Sequence, residues 1–327
     1  MRKVNKFDTM DLAGLTFRMA RATLAQIHGN GCLCMNYIEK HPMIMIVVGV
    51  FGISLSSIFV KYSAAPSAVT AAYRLLWTVL LMTPVTLGKK EVRRELFSAD
   101  RKMVLLSCLS GVFLAIHFVL WFESLLHTTV ASSTTIVCTE VIWVSLGYCL
   151  FLKGRLPAKA LAAIAVTLVG SMCIAFADTS AGQSHLYGDI LSLLAAIAVA
   201  AYVLLGRVVR EKLSTTVYTY VVYSACASVL LVTCFVQGSS LLAFGHSAAV
   251  VGLLLAVFST ILGHSIFSWC LKYFTPSFVS ASKLCEPVVA AVLAAFLFAE
   301  IPTALQLLGG ALILGGVLYY SRIERTE

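Results

Sequence analysis

Apolar runs of about 20 residues, the length that crosses the hydrocarbon core of a bilayer as a helix, recur ten times along this chain. They cover residues 43–62, 66–87, 103–124, 128–151, 157–177, 187–206, 217–236, 249–271, 276–298 and 302–320. The 327 residues are 60% hydrophobic and only 12% charged, with a mean hydropathy of +0.93. A soluble domain carries about 25% charged residues. One globular core of this length cannot hide so much apolar surface, so the solvent for most of the chain is lipid. Most connections between runs are short, which makes consecutive helices antiparallel neighbours. The expected fold is an all-α membrane protein with ten transmembrane helices.

The net charge is +9. In a soluble protein that balance would suggest nucleic acid, but here the basic residues lie between apolar runs and report orientation instead. With the N-terminus placed in the cytoplasm, 21 Lys and Arg residues fall on the cytoplasmic side and Lys61 alone on the other. Arg74 and Lys283 lie within spans. Both termini are therefore expected in the cytoplasm.

Residues 1–42 are expected as a cytoplasmic extension rather than a signal peptide, because no apolar core with a small-residue cleavage site precedes the first span. Residues 9–27 form at most a weakly amphipathic surface helix, and Met35 offers a plainer start just before the first span. Eight of the ten cysteines sit inside apolar runs, where cysteine behaves as a small apolar residue. Cys32 and Cys34 have the wrong spacing for a zinc half-site and no His or Cys partner pair follows, so neither metal nor cofactor is expected.

The chain repeats itself. A shift of 147 residues places His117 on His264, Thr128 on Thr275, Ser133 on Ser280 and Cys138 on Cys285. With a two-residue gap, Pro157 meets Pro302 and Gly170 meets Gly315. Five spans per repeat is an odd number, so the second half must run opposite to the first. The aligned pair Arg155 and Glu300 agrees, with the basic member inside and the acidic one outside. The expected organisation is an N-terminal extension (1–42), a first repeat (43–177), an extracytoplasmic linker (178–186), a second repeat (187–320) and a cytoplasmic tail (321–327). Inverted repeats are the architecture of secondary transporters, whose solute site lies near the midplane at the repeat interface.

Two stretches carry a family resemblance: HFVLWFESLLHTTVASST at 117–134, and residues 263–316, which run from GHSIFSWC through KLCEPVV to LLGGALILGG. They resemble the two repeats of the EamA type of the drug/metabolite transporter superfamily, over about residues 43–320. The paired histidine-containing helices, the Glu286-Pro287 step and the acidic Glu300 carry the likeness; Arg155 departs from it, standing where an acidic residue is common. The resemblance implies a ten-helix carrier of small metabolites in the plasma membrane (the bacterial inner membrane), many relatives being exporters of amino acids or related compounds.

Four ionisable residues lie well inside spans: Arg74, Glu140, Lys283 and Glu286. Each costs about 2.5–3.5 kcal/mol at a helix centre on insertion scales, so such groups face a cavity or each other. Lys283 and Glu286 are three apart, close enough to pair on one helix face. Pro287 withholds a backbone donor beside them. Glu140 sits mid-way along the fourth span, the symmetry mate of the ninth. One reading is a structural network of Glu140 with Arg74 and Lys283 with Glu286; the other is a solute path with a coupled proton. His117 and His264 either titrate during a cycle or hydrogen-bond between helices. Trp121, Trp269, Tyr73, Trp77 and Tyr202 wall a cavity or anchor at the interface. Ser132, Ser133, Thr134 and Thr135 form a polar stripe, and Gly309, Gly310, Ala311, Gly315 and Gly316 permit close helix approach.

Together these features point to a secondary transporter, expected to export a small polar or zwitterionic metabolite such as an amino acid by alternating access. The candidate substrate-binding or coupling residues are Glu286, Lys283, Glu140, Arg74, His117, His264, Trp121 and Trp269. No nucleotide-binding motif is present, so gradients supply the energy. Mixed charge signs suit a zwitterion better than a sugar phosphate. The alternatives are import of a quaternary amine, or a membrane receptor or assembly protein without flux. An enzyme is not expected, since no connection holds a clustered nucleophile, base or metal set.

Overall fold

The computed structural model describes residues 41–128, 130–178, 186–286, 288–289, 292–293 and 303–324. Among them there is no strand. The helices are α1 (Pro42–Ser54), α2 (Ser56–Lys61), α3 (Ser67–Gly88), α4 (Lys90–Ser98), α5 (Arg101–His127), α6 (Val130–Cys138), α7 (Glu140–Phe151), α8 (Ala158–Asp178), α9 (Leu186–Arg210), α10 (Thr215–Val236), α11 (Gly245–Leu254), α12 (Ile266–Cys270), α13 (Pro276–Lys283) and α14 (Ala304–Glu324). A π-helical segment, Leu255–Ser265, joins α11 to α12.

Seven helical stretches of the described residues are long and apolar enough to cross a membrane: Pro42–Val60, Ser67–Gly88, Arg101–His127, Ser133–Phe151, Leu186–Arg210, Thr215–Val236 and Ser247–Cys270. Ala158–Cys173 and Leu307–Ile323 are apolar but shorter. The chain is a multi-pass membrane protein. Of the expected ninth span, α13 is described together with Glu286, Val288, Val289, Val292 and Leu293; Pro287, Glu300 and Pro302 lie outside the described residues, as does the whole of 1–40. The connection at 88–102 holds a helix the hydropathy did not announce. This is α4, which buries none of its residues and is rich in Lys, Arg and Glu.

Local chemistry explains where the helices begin. Asp100 accepts from Lys102 N at the start of α5, Ser214 accepts from Val217 N at the start of α10, and Thr275 accepts from Phe278 N ahead of Pro276 in α13. Each satisfies an amide that has no intrahelical partner. Pro84 lies inside α3. The Thr83 hydroxyl beside it donates to Val79 O at 2.7 Å and meets the Tyr220 hydroxyl at 3.2 Å.

The core is a set of helix pairs packed through small residues and hydroxyls rather than through large apolar side chains alone. Lipid tails are as apolar as leucine, so close approach and interhelical hydrogen bonds must supply the association. α8 and α14 pack along their length. A Cβ on Gly170 would lie 2.6 Å from Gly309 O, and one on Gly316 2.5 Å from Thr167 Cγ2, whereas Gly315 faces open space. α5 packs against both α9 and α10. Ser110 donates to Tyr202 O at 3.2 Å and shares a hydrogen bond with the Tyr218 hydroxyl at 2.8 Å. Of the polar stripe, Ser133 bonds Ser124 at 2.7 Å and Ser192 at 3.1 Å, the helix-to-helix role.

Candidate substrate cavity

Two of the membrane helices are interrupted at matching places. Between α6 and α7, Thr139 N donates to Ile136 O and Ile142 N to Thr139 O. After α13, Leu284 N donates to Ala281 O and Cys285 N to Ser282 O. These are bonds to the third residue back, a local tightening of the α-helix. The 147-residue offset of the sequence repeat puts Cys138 on Cys285, so the two interruptions fall within two residues of corresponding positions.

Charges sit at the helix ends so created. Glu140 is the first residue of α7 and Lys283 the last of α13. A carboxylate at a helix N-terminus and an ammonium at a C-terminus are both at the favourable pole of the helix dipole. They meet: Lys283 Nζ donates to Glu140 Oε1 at 2.7 Å, with both residues buried. Lys283 also lies 5.5 Å from the centroid of the Phe267 ring.

This pairing differs from the one the sequence suggested. Lys283 and Glu286 are three apart, but the ammonium is taken by Glu140 across the α7–α13 contact rather than by Glu286. Arg74 likewise does not pair with Glu140. Its Nε donates to Thr260 Oγ1 at 2.7 Å and Nη1 to Ser56 Oγ at 3.4 Å, and the guanidinium lies 4.2 Å from the Phe118 ring centroid. Its Nη2 finds no acceptor among the described residues. Glu286 has no ion pair within 4.0 Å among the described residues, where Lys283–Glu140 is the buried ion pair.

These groups surround one cavity of about 50 Å³, lined by Ile53, Ser56, Arg74, His117, Trp121, Val137, Glu140, Val199, His264, Lys283 and Glu286. A water needs about 10–15 Å³ by this measure, so a few waters fit. Seven of the eight candidate residues line it. The eighth, Trp269, does not line it and packs tilted against Tyr273, with centroids 4.4 Å apart. Tyr73 donates to Leu241 O, Trp77 to Ala249 O, and Tyr202 shares a bond with Ser268. None of these three lines the cavity.

The histidines are fixed by their surroundings. His117 Nδ1 lies 3.0 Å from Ala195 O. A carbonyl only accepts, so Nδ1 carries the proton and Nε2 of the neutral ring is left as an acceptor. The ring stacks on Trp121 at 6.0 Å and 12°. His264 belongs to the π-helical segment, with Phe118 and Tyr202 packed against it edge-on. Wide-turn segments of this type recur at functional sites. This one reaches the cavity at two points, through Thr260 on Arg74 and through His264.

Ser56, Thr260 and Phe118 were not legible as site residues. A hydroxyl in a membrane helix is ordinary, and only the fold brings these three around Arg74.

Residues 186–322 match the EamA-like transporter family. That segment of the chain is similar to EamA-type transporters. Relatives reach into the first half as well. An uncharacterized transporter of Archaeoglobus fulgidus is 25% identical over 87% of this chain and 96% of its own length. An uncharacterized transporter of Bacillus subtilis is 22% identical over 85% and 87% respectively. A probable amino-acid metabolite efflux pump of Salmonella typhimurium is 29% identical over 53% of this chain, a match that spans 62% of that relative. A solved crystal structure superposes with a TM-score of 0.72 over 88% of this chain and 98% of the other, at 15% identity, a likeness of fold.

Proposed function

We propose that this EamA-type protein is a secondary carrier that exports a small zwitterionic metabolite of the amino-acid class by alternating access. The observation that carries the reading is the cavity: two cations, two carboxylates and two histidines from both halves of the chain converge on it. A site of balanced charge accepts a molecule that is itself neutral overall but charged at both ends. Such groups within membrane helices mark solute or ion paths. The cavity is far smaller than the roughly 300–1,000 Å³ of ligand clefts, so a solute enters only if the walls part, as rocking of one half against the other would allow. The efflux-pump relative supports the exporting direction.

The same proposal includes ten spans in two inverted five-helix repeats, residues 43–177 and 187–320, with both termini in the cytoplasm. The pattern of packing supports it. A two-fold relation between repeats pairs the second, fourth and fifth spans with the seventh, ninth and tenth, and α3 packs on α10, α7 on α13 and α8 on α14. Interrupted helices whose ends carry the binding groups fit this class of carrier. A carboxylate of the cavity is the group through which a proton gradient would couple.

The test is thermal stabilisation of the purified protein by amino acids, quaternary amines, nucleosides and sugar phosphates, with Glu286→Gln alongside. The expected result is stabilisation of the wild type by amino acids, lost in the variant, together with loss of amino-acid flux in proteoliposomes. Stabilisation by sugar phosphates alone would refute the zwitterion. Normal flux through a merely less stable Glu286→Gln protein would make the charges structural.

A further inference from the structure

Resting on the reading of the cavity as a zwitterion site, we infer that the carboxylate end of the solute is taken by Arg74 Nη2 and Trp121 Nε1 rather than by Lys283. Lys283 is the obvious cation from the sequence, but its ammonium is already committed to Glu140 at 2.7 Å. Displacing that partner would leave a buried carboxylate without its counter-charge. Arg74 is held differently. It is 1% exposed, yet among the described residues its bonds go only to the neutral oxygens of Thr260 and Ser56. Those two bonds and the Phe118 ring fix the plane of the guanidinium and leave Nη2 without an acceptor.

Trp121 repeats the pattern. Its ring is buried and held between His117 and Phe122, and Nε1 finds no acceptor among the described residues. A buried donor left unbonded is costly. Both side chains line the same cavity, and one cationic and one neutral donor left unbonded are what an anionic oxygen pair requires. Guanidinium donors bind carboxylates with directional, charge-assisted hydrogen bonds. The opposite end of the solute then falls to acceptors on the same wall: the Glu286 carboxylate, which has no ion-pair partner within 4.0 Å among the described residues, and Nε2 of His117, left as an acceptor by the bond to Ala195 O. The Glu140–Lys283 pair becomes a strut between α7 and α13 rather than a ligand of the solute.

The experiment uses the full chain in detergent and in proteoliposomes, with the common L-amino acids each tested against its own carboxamide and against the corresponding amine. Trp121→Phe keeps the ring and removes one N–H. Arg74→Lys keeps the charge and removes the fork. The wild type is expected to bind the acid well above the carboxamide and the amine. Trp121→Phe should weaken binding of the acid about tenfold or more, a loss typical of a hydrogen bond to a charged group, and should shrink the acid-over-carboxamide preference. Arg74→Lys should abolish that preference. If Trp121→Phe keeps both affinity and preference, the assignment is overturned even where Arg74→Lys fails to fold. In that case Glu286→Gln still reports on the cavity itself: loss there with no effect at Trp121 leaves the zwitterion site standing and refutes only its carboxylate end. Binding of the amine as tightly as the acid, or of no amino acid at all, overturns both.

Discussion

The Lys283–Glu140 bond invites a double-mutant cycle. At 2.7 Å and an effective dielectric constant of about 20, the gross attraction is about 6 kcal/mol. Desolvating each ion costs several kcal/mol, so the net value of the pair against two apolar residues is near zero or unfavourable. Removing one partner is another matter, because the survivor is left charged and buried. Glu140→Leu and Lys283→Met should each lower stability by about 3–5 kcal/mol. The double variant Glu140→Leu with Lys283→Met should recover most of that loss, giving a coupling energy of at least about 2 kcal/mol. Thermal unfolding in detergent with a solvatochromic thiol dye would read the three variants against the wild type. Ranking by midpoint is sufficient, since both single variants must fall below the double. Additive losses in the double variant would refute the reasoning, for they would mean that the two side chains do not depend on one another inside the protein.

Two further expectations follow from packing and charge. Gly170→Ala should destabilise by about 1–3 kcal/mol, because its Cβ would meet the backbone oxygen of Gly309 at 2.6 Å, while Gly315→Ala, facing open space, should be neutral or gain up to about 1 kcal/mol of helix propensity; equal midpoints for the two would contradict the α8–α14 contact. In a cysteine-free background, exposed Ser98→Cys should react with an impermeant maleimide only from the cytoplasmic face and exposed Ser240→Cys only from the opposite face, and the reverse pattern would overturn the orientation drawn from Lys and Arg.

Hydrophobic runs announced nearly every helix described, because a membrane helix needs about 20 apolar residues and lipid leaves no other backbone solution than internal hydrogen bonding. The same physics hid α4, whose alternating charges carry no hydropathy signal. The rarity of charge at membrane depth also picked out Arg74, Glu140, Lys283 and Glu286 before any coordinates, since each must be justified by a cavity or a partner. The 147-residue offset identified His117 and His264 as a pair.

Which charge faces which partner was beyond the sequence. Spacing on an ideal helix assigns Lys283 to Glu286, but the packing of α7 on α13 hands Lys283 to a carboxylate 143 residues away. Trp121 and Trp269 occupy similar places in their spans and read alike, yet one lines the cavity and the other packs against Tyr273. Composition and period fix what must leave water and roughly where a helix can run. The identity of the neighbour across a helix interface depends on rotation, breaks and close approach, which only the packed chain decides.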